Sequence, residues 1–357
     1  MSKNILNSIE EIKKLDSKNM LGSLELLSEQ VGEVWNCAKN LKIPANYKNV
    51  KNIVVLGMGG STLGAHIIKS VFFNELKAPL EIINGYHVPA YVDKNSFVVV
   101  SSYSGTTEEP VYAMKEAMKR KAKLATISSG GDLAKISQAR KIPGLIFSTN
   151  NNPCGSPRMG LGYSIVGQMI LFAKAGLIKL TEKDVRKVLL TVKKYNDLFG
   201  VSNQVENPAK QLAQNLKDRS VWYVAAEHLS GNAHAAANQM NENDKRFAGY
   251  YLIPELNHHL MEGMFYPKSN PENIGFILFE SALYDQRIQK RFEITKQVLD
   301  KNKIKHWSYI AQEKDKIGQA CELLVLGSYI SYYGALLEGI DPTAIPFVDF
   351  FKEQLKK

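Results

Sequence analysis

Two short stretches crowd hydroxyl side chains and glycines between a strand-like run and a helix-like run. "NIVVL" leads into "GMGGSTLGAH" (Gly57–His66), and "SFVVV" leads into "SSYSGTTEEP" (Ser101–Pro110). Glycine lets a backbone approach an anion closely, and a helix N-terminus adds free N–H groups and positive dipole. In the first stretch Gly59, Gly60 and Ser61 stand where such a turn would grip. In the second, Ser102, Ser104, Thr106 and Thr107 offer donors, Gly105 permits a tight turn, and Glu108 and Glu109 open the helix as dipole-compatible acids. Each hydroxyl taken singly could be no more than an N-cap. A third turn, "ISSGGDLAKIS", adds Ser128, Ser129 and two glycines. Both main loops fall at carboxyl ends of strands, where open α/β sheets bind ligands.

The first loop lacks the lysine of a Walker A motif. It also departs from the dinucleotide fingerprint, because Thr62 replaces the third glycine and Asn84 stands where an acid should end the second strand. Hydroxyl donors with no lysine among them suit a phosphate monoester, not a nucleoside triphosphate with magnesium.

Proton-transfer groups lie elsewhere. Glu242, in "NQMNENDK", sits among Asn238, Asn241 and Asn243. It is either a helix-end charge or a general base. "NHH" places Asn257, His258 and His259 together; the imidazoles are either packed or solvated rings or acid–base groups working near neutral pH. Tandem histidines are poor geometry for one zinc ion, so no metal is expected. Arg158 is the lone charge of "SPRMG", either a buried structural fork or an anion stabiliser. Lys352 belongs to the lysine-rich "DFFKEQLKK".

The elements that must position these groups follow a regular plan. Residues 1–46 read as one or two amphipathic helices ahead of the first domain. Apolar, β-rich runs at 53–56, 80–83, 97–101, 124–127 and 145–147 then alternate with helical patterns, and the helix "SIVGQMILFAKAGLI" closes this half. A second cycle contains "SVWYVAAEH", "AGYYLI", "IGFILFES" and "KHWSYI" before a long helix ending near Gly339. Strands alternating with helices mean an α/β fold with doubly wound parallel sheets. The expected organisation is a helical segment 1–46, a phosphate-binding domain 47–182, a linker helix 183–208 and a second domain 209–357 with a C-terminal helix. "LGMGGSTLGAH" and "VAAEHLSGNAH" echo each other as strand, loop and helix, which suggests duplication.

Composition narrows the class. A chain of 357 residues with 45% hydrophobic content can bury two cores. It has no run of about 18 apolar residues, so no membrane partner is expected. The first twenty residues have no apolar signal core, and three scattered cysteines make neither a disulfide framework nor a zinc site; cytoplasm is the expected compartment. The net charge is +10, but the lysines are dispersed and no nucleic-acid-binding motif is present. The remaining consequence of the charge is long-range attraction for small anions.

"GMGGS" followed by "SSYSGTTEE" resembles the phosphosugar-binding pattern of the SIS (sugar isomerase) domain. "NPCGSPRMGLGYS", "NQMNENDK…IPELNHHLMEG" and "DPTAIPFVDFFKEQL" extend the likeness, from about residue 35 onward, to the bifunctional phosphoglucose/phosphomannose isomerase family. The resemblance implies two SIS domains, a homodimer with shared active sites, and no metal or cofactor. It implies a hexose 6-phosphate substrate held by Gly59, Gly60, Ser61, Ser102, Ser104 and Thr107. Glu242 becomes the base of glucose 6-phosphate/fructose 6-phosphate interconversion, with Glu255 its rival carboxylate. His258, contributed by the neighbouring subunit, and Lys352 become ring-opening groups, and Arg158 the stabiliser of an enediolate. Mannose 6-phosphate is a further expected substrate, although Ile345 stands where the family places a threonine, and Thr343 is nearby. Two other readings stay open: a phosphosugar sensor without turnover, and an isomerase of another phosphosugar.

Overall fold

The computed structural model describes residues 5–357; residues 1–4 of the expected N-terminal helical segment lie outside them. That segment forms three short helices, not one or two: α1 (Ile9–Leu15), α2 (Met20–Glu25) and α3 (Leu27–Cys37). The first break is set by Asp16, whose carboxylate accepts from the Met20 and Leu21 amides at 2.6 and 2.8 Å and from the Tyr332 hydroxyl at 2.9 Å. It ends α1, holds the first amides of α2, whose N-cap is Asn19, and ties both helices to the far end of the chain.

The first sheet is built from β1 (Asn52–Leu56), α4 (Gly60–Val71), β2 (Leu80–Ile83), β3 (Ser96–Ser101), α5 (Glu108–Lys119), β4 (Lys123–Ser128), α6 (Gly131–Arg140), β5 (Gly144–Ile146) and α7 (Leu161–Lys174). Its strands are parallel, in the order β2-β1-β3-β4-β5. The pleat divides the apolar run of β3 between two cores. Phe97 and Val99 join Ile53 and Val55 in the main core, while Val98 and Val100 join Val54, Leu56 and Met114 on the other face. A strand covered on both faces reads as continuous hydrophobic sequence, which is why this run was legible.

α8 (Glu182–Phe199), opened by a Thr181–Asp184 capping box, and α9 (Pro208–Asn215) lead to the second sheet. It comprises β6 (Ser220–Ala225), α10 (Ser230–Gln239), β7 (Ala248–Leu252), the one-turn helices α11 (Leu256–His259) and α12 (Asn270–Asn273), β8 (Ile274–Glu280), α13 (Gln286–Lys301) and β9 (Lys305–Ile310). Its parallel order, β7-β6-β8-β9, repeats the first four strands of the first sheet, with no counterpart of β5. α14 (Lys316–Glu338) is long and apolar enough by composition to cross a membrane, yet it is buried as the central helix between α8, α9 and α10. α15 (Pro346–Gln354) ends the chain and buries none of its residues.

Candidate active site

The two hydroxyl-rich loops touch. Ser61 Oγ accepts from the Tyr103 amide at 3.0 Å, and Ser101 Oγ donates to the Ser61 carbonyl at 2.7 Å. Ser61 is thus engaged with the neighbouring loop, and Gly59 and Gly60 bracket the start of α4. Ser102 and Thr107 share a hydrogen bond of 2.9 Å, as do Ser104 and Thr106. Ser102 is 1% exposed and also accepts from the Gly105 amide at 3.1 Å, whereas Ser104 is exposed.

The third turn takes a different part from the one its composition suggested. Ser129 Oγ donates to the Tyr103 carbonyl at 2.7 Å, and Gly130 and Gly131 back onto Gly105. Gly105 has φ of +74°, and a Cβ there would collide with the Gly130 carbonyl oxygen. The turn is therefore a brace for the 101–107 loop. Serine and glycine serve a brace as well as a cradle.

Arg158 is carried by a single 3₁₀ turn, Pro157–Met159, packed against the first loop: a Cβ on Gly60 would lie 3.0 Å from the Arg158 amide. Its side chain is 3% exposed, and all three guanidinium nitrogens are used. Nε donates to Asn243 Oδ1 at 2.6 Å, Nη2 to the carbonyls of Pro342 and Thr343 at 3.1 and 3.0 Å, and Nη1 to Glu242 Oε2 at 3.3 Å. Burial pulls its pKa below the ordinary arginine value, and the Glu242 carboxylate opposes that shift. Both sequence alternatives hold in part: Arg158 is a buried fork, and one arm faces a carboxylate.

Glu242 lies in a π-helical turn, Met240–Asp244, that continues α10. Such turns widen the helix and re-aim side chains, and they recur at functional sites. Glu242 keeps 36% of its side chain accessible, while Asn243 on the same turn is buried. The carboxylate is thus held on one side by Arg158 and open on the other, which suits a group that must exchange protons with a ligand. The rival Glu255 is 77% exposed and lies 3.8 Å from His259 Nε2, a solvent-facing pair.

Lys245 was not singled out by its sequence. Its ammonium donates to the carbonyls of Asn243, Asp341 and Pro342 at 3.0, 2.7 and 3.0 Å. It clips the π turn to the same 341–343 loop that Arg158 grips. Partial desolvation of its ammonium, helped by the nearby Arg158 charge, brings its pKa down to about 8, although the residue keeps an exposed face. Thr343 is 7% exposed and its hydroxyl has no partner among the described residues. The only forewarning was the density of polar residues in "NENDK"; the partners lie some ninety residues away along the chain.

His258 and Lys352 are not brought to this cluster. Both are exposed, and neither side chain has a hydrogen bond among the described residues. Asn257, beside His258, is anchored by Thr295 Oγ1 at 2.8 Å. Lys352 rides on α15, whose Phe347, Phe350 and Phe351 are 87%, 61% and 61% exposed. Among the described residues no group of three or more His, Cys, Asp or Glu side chains is placed to hold a metal ion.

Residues 205–355 match the family model described as the bacterial phospho-glucose isomerase C-terminal SIS domain. A bifunctional phosphoglucose/phosphomannose isomerase of Caldicellulosiruptor bescii is 29% identical over 94% of this chain and 98% of its own length. One from Thermoplasma acidophilum is 28% identical over 85% and 89%. Among solved structures, a hypothetical protein from Thermus thermophilus superposes with a TM-score of 0.73 at 18% identity, covering 97% of this chain and 93% of that one, and supports the fold alone. The chain is a two-SIS-domain relative of the bifunctional phosphoglucose/phosphomannose isomerases.

Proposed function

We propose that the protein is an aldose–ketose isomerase that interconverts glucose 6-phosphate and fructose 6-phosphate and also accepts mannose 6-phosphate. The observation that carries the reading is the Nη1–Glu242 contact of 3.3 Å: a fixed cation beside an accessible carboxylate, on a turn packed against the first of two hydroxyl-rich loops. Phosphate rests on the α4 N-terminal turn at Gly59, Gly60 and Ser61 and on Ser102, Ser104 and Thr107. Glu242 removes the proton from C2 of the open aldose and returns it to C1, while a hydroxyl proton moves from O2 to O1; Arg158 offsets negative charge on the enediolate between these steps. The unpartnered, buried Thr343 hydroxyl supports the mannose activity, since it can serve in place of the position held by Ile345.

Ring opening transfers the anomeric hydroxyl proton toward the ring oxygen. His258 of a neighbouring copy and Lys352 are assigned to it, in a homodimer whose sites are shared. The exposed apolar face of α15 and the exposed His258 support that assembly. The domains are residues 47–182 and 209–357, and the setting is hexose phosphate metabolism, glycolysis and gluconeogenesis, in the cytoplasm.

The test is proton magnetic resonance of purified protein with each hexose 6-phosphate in deuterated water. Isomerisation with deuterium incorporated at the transferred position is expected, slowed at least about a hundredfold in Glu242→Gln and unchanged in Glu255→Gln. Tight binding of the substrates without turnover would establish the sensor reading instead.

A further inference from the structure

α4 follows β1 and α10 follows β6, and these strands hold the same place in sheets of the same order. The two helices cross in close contact: a Cβ on Gly231 would lie 2.6 Å from the His66 carbonyl carbon. "GAH" and "NAH" put His66 and His234 at matching positions, and their rings meet edge to face with centroids 4.1 Å apart. A crossing of equivalent helices makes two crevices. In one, the start of α4 meets the Arg158 turn and the end of α10, where Glu242 stands. In the other, the start of α10 meets the end of α4. This second crevice is a cavity of about 610 Å³ that the isomerase chemistry does not use.

Its lining has been rebuilt. Where the first loop has "GMGG", the second has "AAEH", with Glu227 and His228 in the turn. His228 is 1% exposed, and its Nε2 lies 2.8 Å from Gln319 Oε1. The Gln319 amide nitrogen donates to the Glu313 carbonyl at 2.8 Å, so Oε1 is the acceptor end and His228 Nε2 carries the proton. His228 Nδ1 is therefore a lone pair, buried and without a partner among the described residues. His66 Nε2 and His234 Nδ1 are also buried without a partner among the described residues. Burial lowers the pKa of all three imidazoles, that of His66 to about 4, so the rings are neutral at physiological pH. They are not disposed to share a metal ion.

The rest of the lining supplies two other chemistries. Phe73, Tyr250 and Leu252 form an apolar part of the wall; Phe73 is 75% exposed, and Tyr250 stacks on His234 at 4.8 Å. Lys69 and Lys316 also line the cavity, and neither has an ion-pair partner among the described residues. A carboxylate at 227 disfavours a phosphate in the turn itself, so an anion belongs with the lysines. A hexose phosphate would satisfy the lysines but would leave much of the volume and the aromatic wall unused.

We propose that this crevice is a second ligand site, separate from the isomerase site, that takes a nucleoside phosphate. The base lies against the aromatic wall, its polar edge and the ribose hydroxyls pair with the unpartnered imidazole nitrogens, and the phosphate meets Lys69 and Lys316. The proposal stands whether or not the chain is an isomerase.

Calorimetric titration of the whole protein with adenosine, guanosine and cytidine 5′-monophosphates tests it, with glucose 6-phosphate as the contrasting ligand. Binding of one nucleotide per chain is expected, weakened about tenfold or more by Lys69→Ala with Lys316→Ala and weakened also by Phe73→Ala. Ser104→Ala with Thr107→Ala, at the other crevice, should leave it unchanged. Circular dichroism checks that each variant is folded; the exposed Phe73 gives a second variant should the lysine pair disturb the fold. Absence of nucleotide binding at millimolar concentration, loss of binding in the Ser104/Thr107 variant, or full displacement by glucose 6-phosphate would each overturn the proposal.

Discussion

Arg158→Lys keeps the charge and removes the fork. Arg158 donates to four acceptors: Asn243 Oδ1, the carbonyls of Pro342 and Thr343, and Glu242. A lysine ammonium is a compact point on a flexible stem, and it can keep Glu242 and at most one of the others. The Pro342 carbonyl still accepts from Lys245, so one buried acceptor, Asn243 Oδ1 or the Thr343 carbonyl, is then left without a donor. At about 1–3 kcal/mol for that loss, together with lost packing in a buried ionic cluster, the expected destabilisation is about 2–4 kcal/mol. That is a large part of the 5–15 kcal/mol typical of a folded chain. Urea titration followed by tryptophan fluorescence and far-ultraviolet dichroism should show a clearly lower midpoint. Turnover, measured well below that midpoint, should fall about 10²–10³-fold if the guanidinium also stabilises an enediolate. A variant with the wild-type midpoint would refute the structural half of this reasoning. One with a lowered midpoint and full turnover would refute the catalytic half.

Ser104→Ala together with Thr107→Ala should raise KM for hexose 6-phosphates, by about 1.5 kcal/mol or more for each hydrogen bond lost to the charged phosphate; an unchanged KM would remove the 101–107 loop from the site. His66, with its pKa lowered to about 4 by burial and by His234, binds fewer protons folded than unfolded, so it contributes stability above about pH 6.5 that is lost as pH falls toward 4. His66→Gln should flatten the stability profile over that window, and a profile as steep as wild type would refute the assignment. Co-refolding equal amounts of Glu242→Gln and His258→Asn chains should restore about a quarter of wild-type turnover, because random pairing makes about half the dimers mixed and each of those regains one intact site. Heterodimers confirmed by mass that recover nothing would place both residues in one chain's site.

What the sequence made legible depends on how local the physics is. β3 was legible to within a residue because a strand covered on both faces must be apolar throughout, whatever its distant partners. The hydroxyl loops were legible for a similar reason: the residues that grip an anion there are neighbours along the chain. Asp16 was not, since its partners include Tyr332, and nothing around a charged residue in a lysine-rich segment foretells a buried triple acceptor. The brace at 128–131 was misread because a turn that supports a loop and a turn that lines a site use the same small residues. Lys245 escaped notice for want of any visible partner, the loop at 341–343 being fixed only by folding.

The same contrast divides the proposed catalytic residues. Arg158 and Glu242 are joined within one chain by α10 and the 3₁₀ turn, so the tertiary fold suffices to bring together residues 84 positions apart. His258 and Lys352 sit on short surface helices, and α15 exposes three phenylalanines while burying nothing. An isolated chain gains little by ordering such a helix, since apolar burial is the main return on that entropy. A second copy covering it would supply that return and could carry His258 to a neighbour's carboxylate in the same step. Ring opening would then depend on assembly while proton transfer would not. Diluting the enzyme until dimers dissociate should therefore cost activity on the closed sugar before it costs activity on substrate supplied in the open form. Equal loss on both would mean that Glu242 itself depends on the partner.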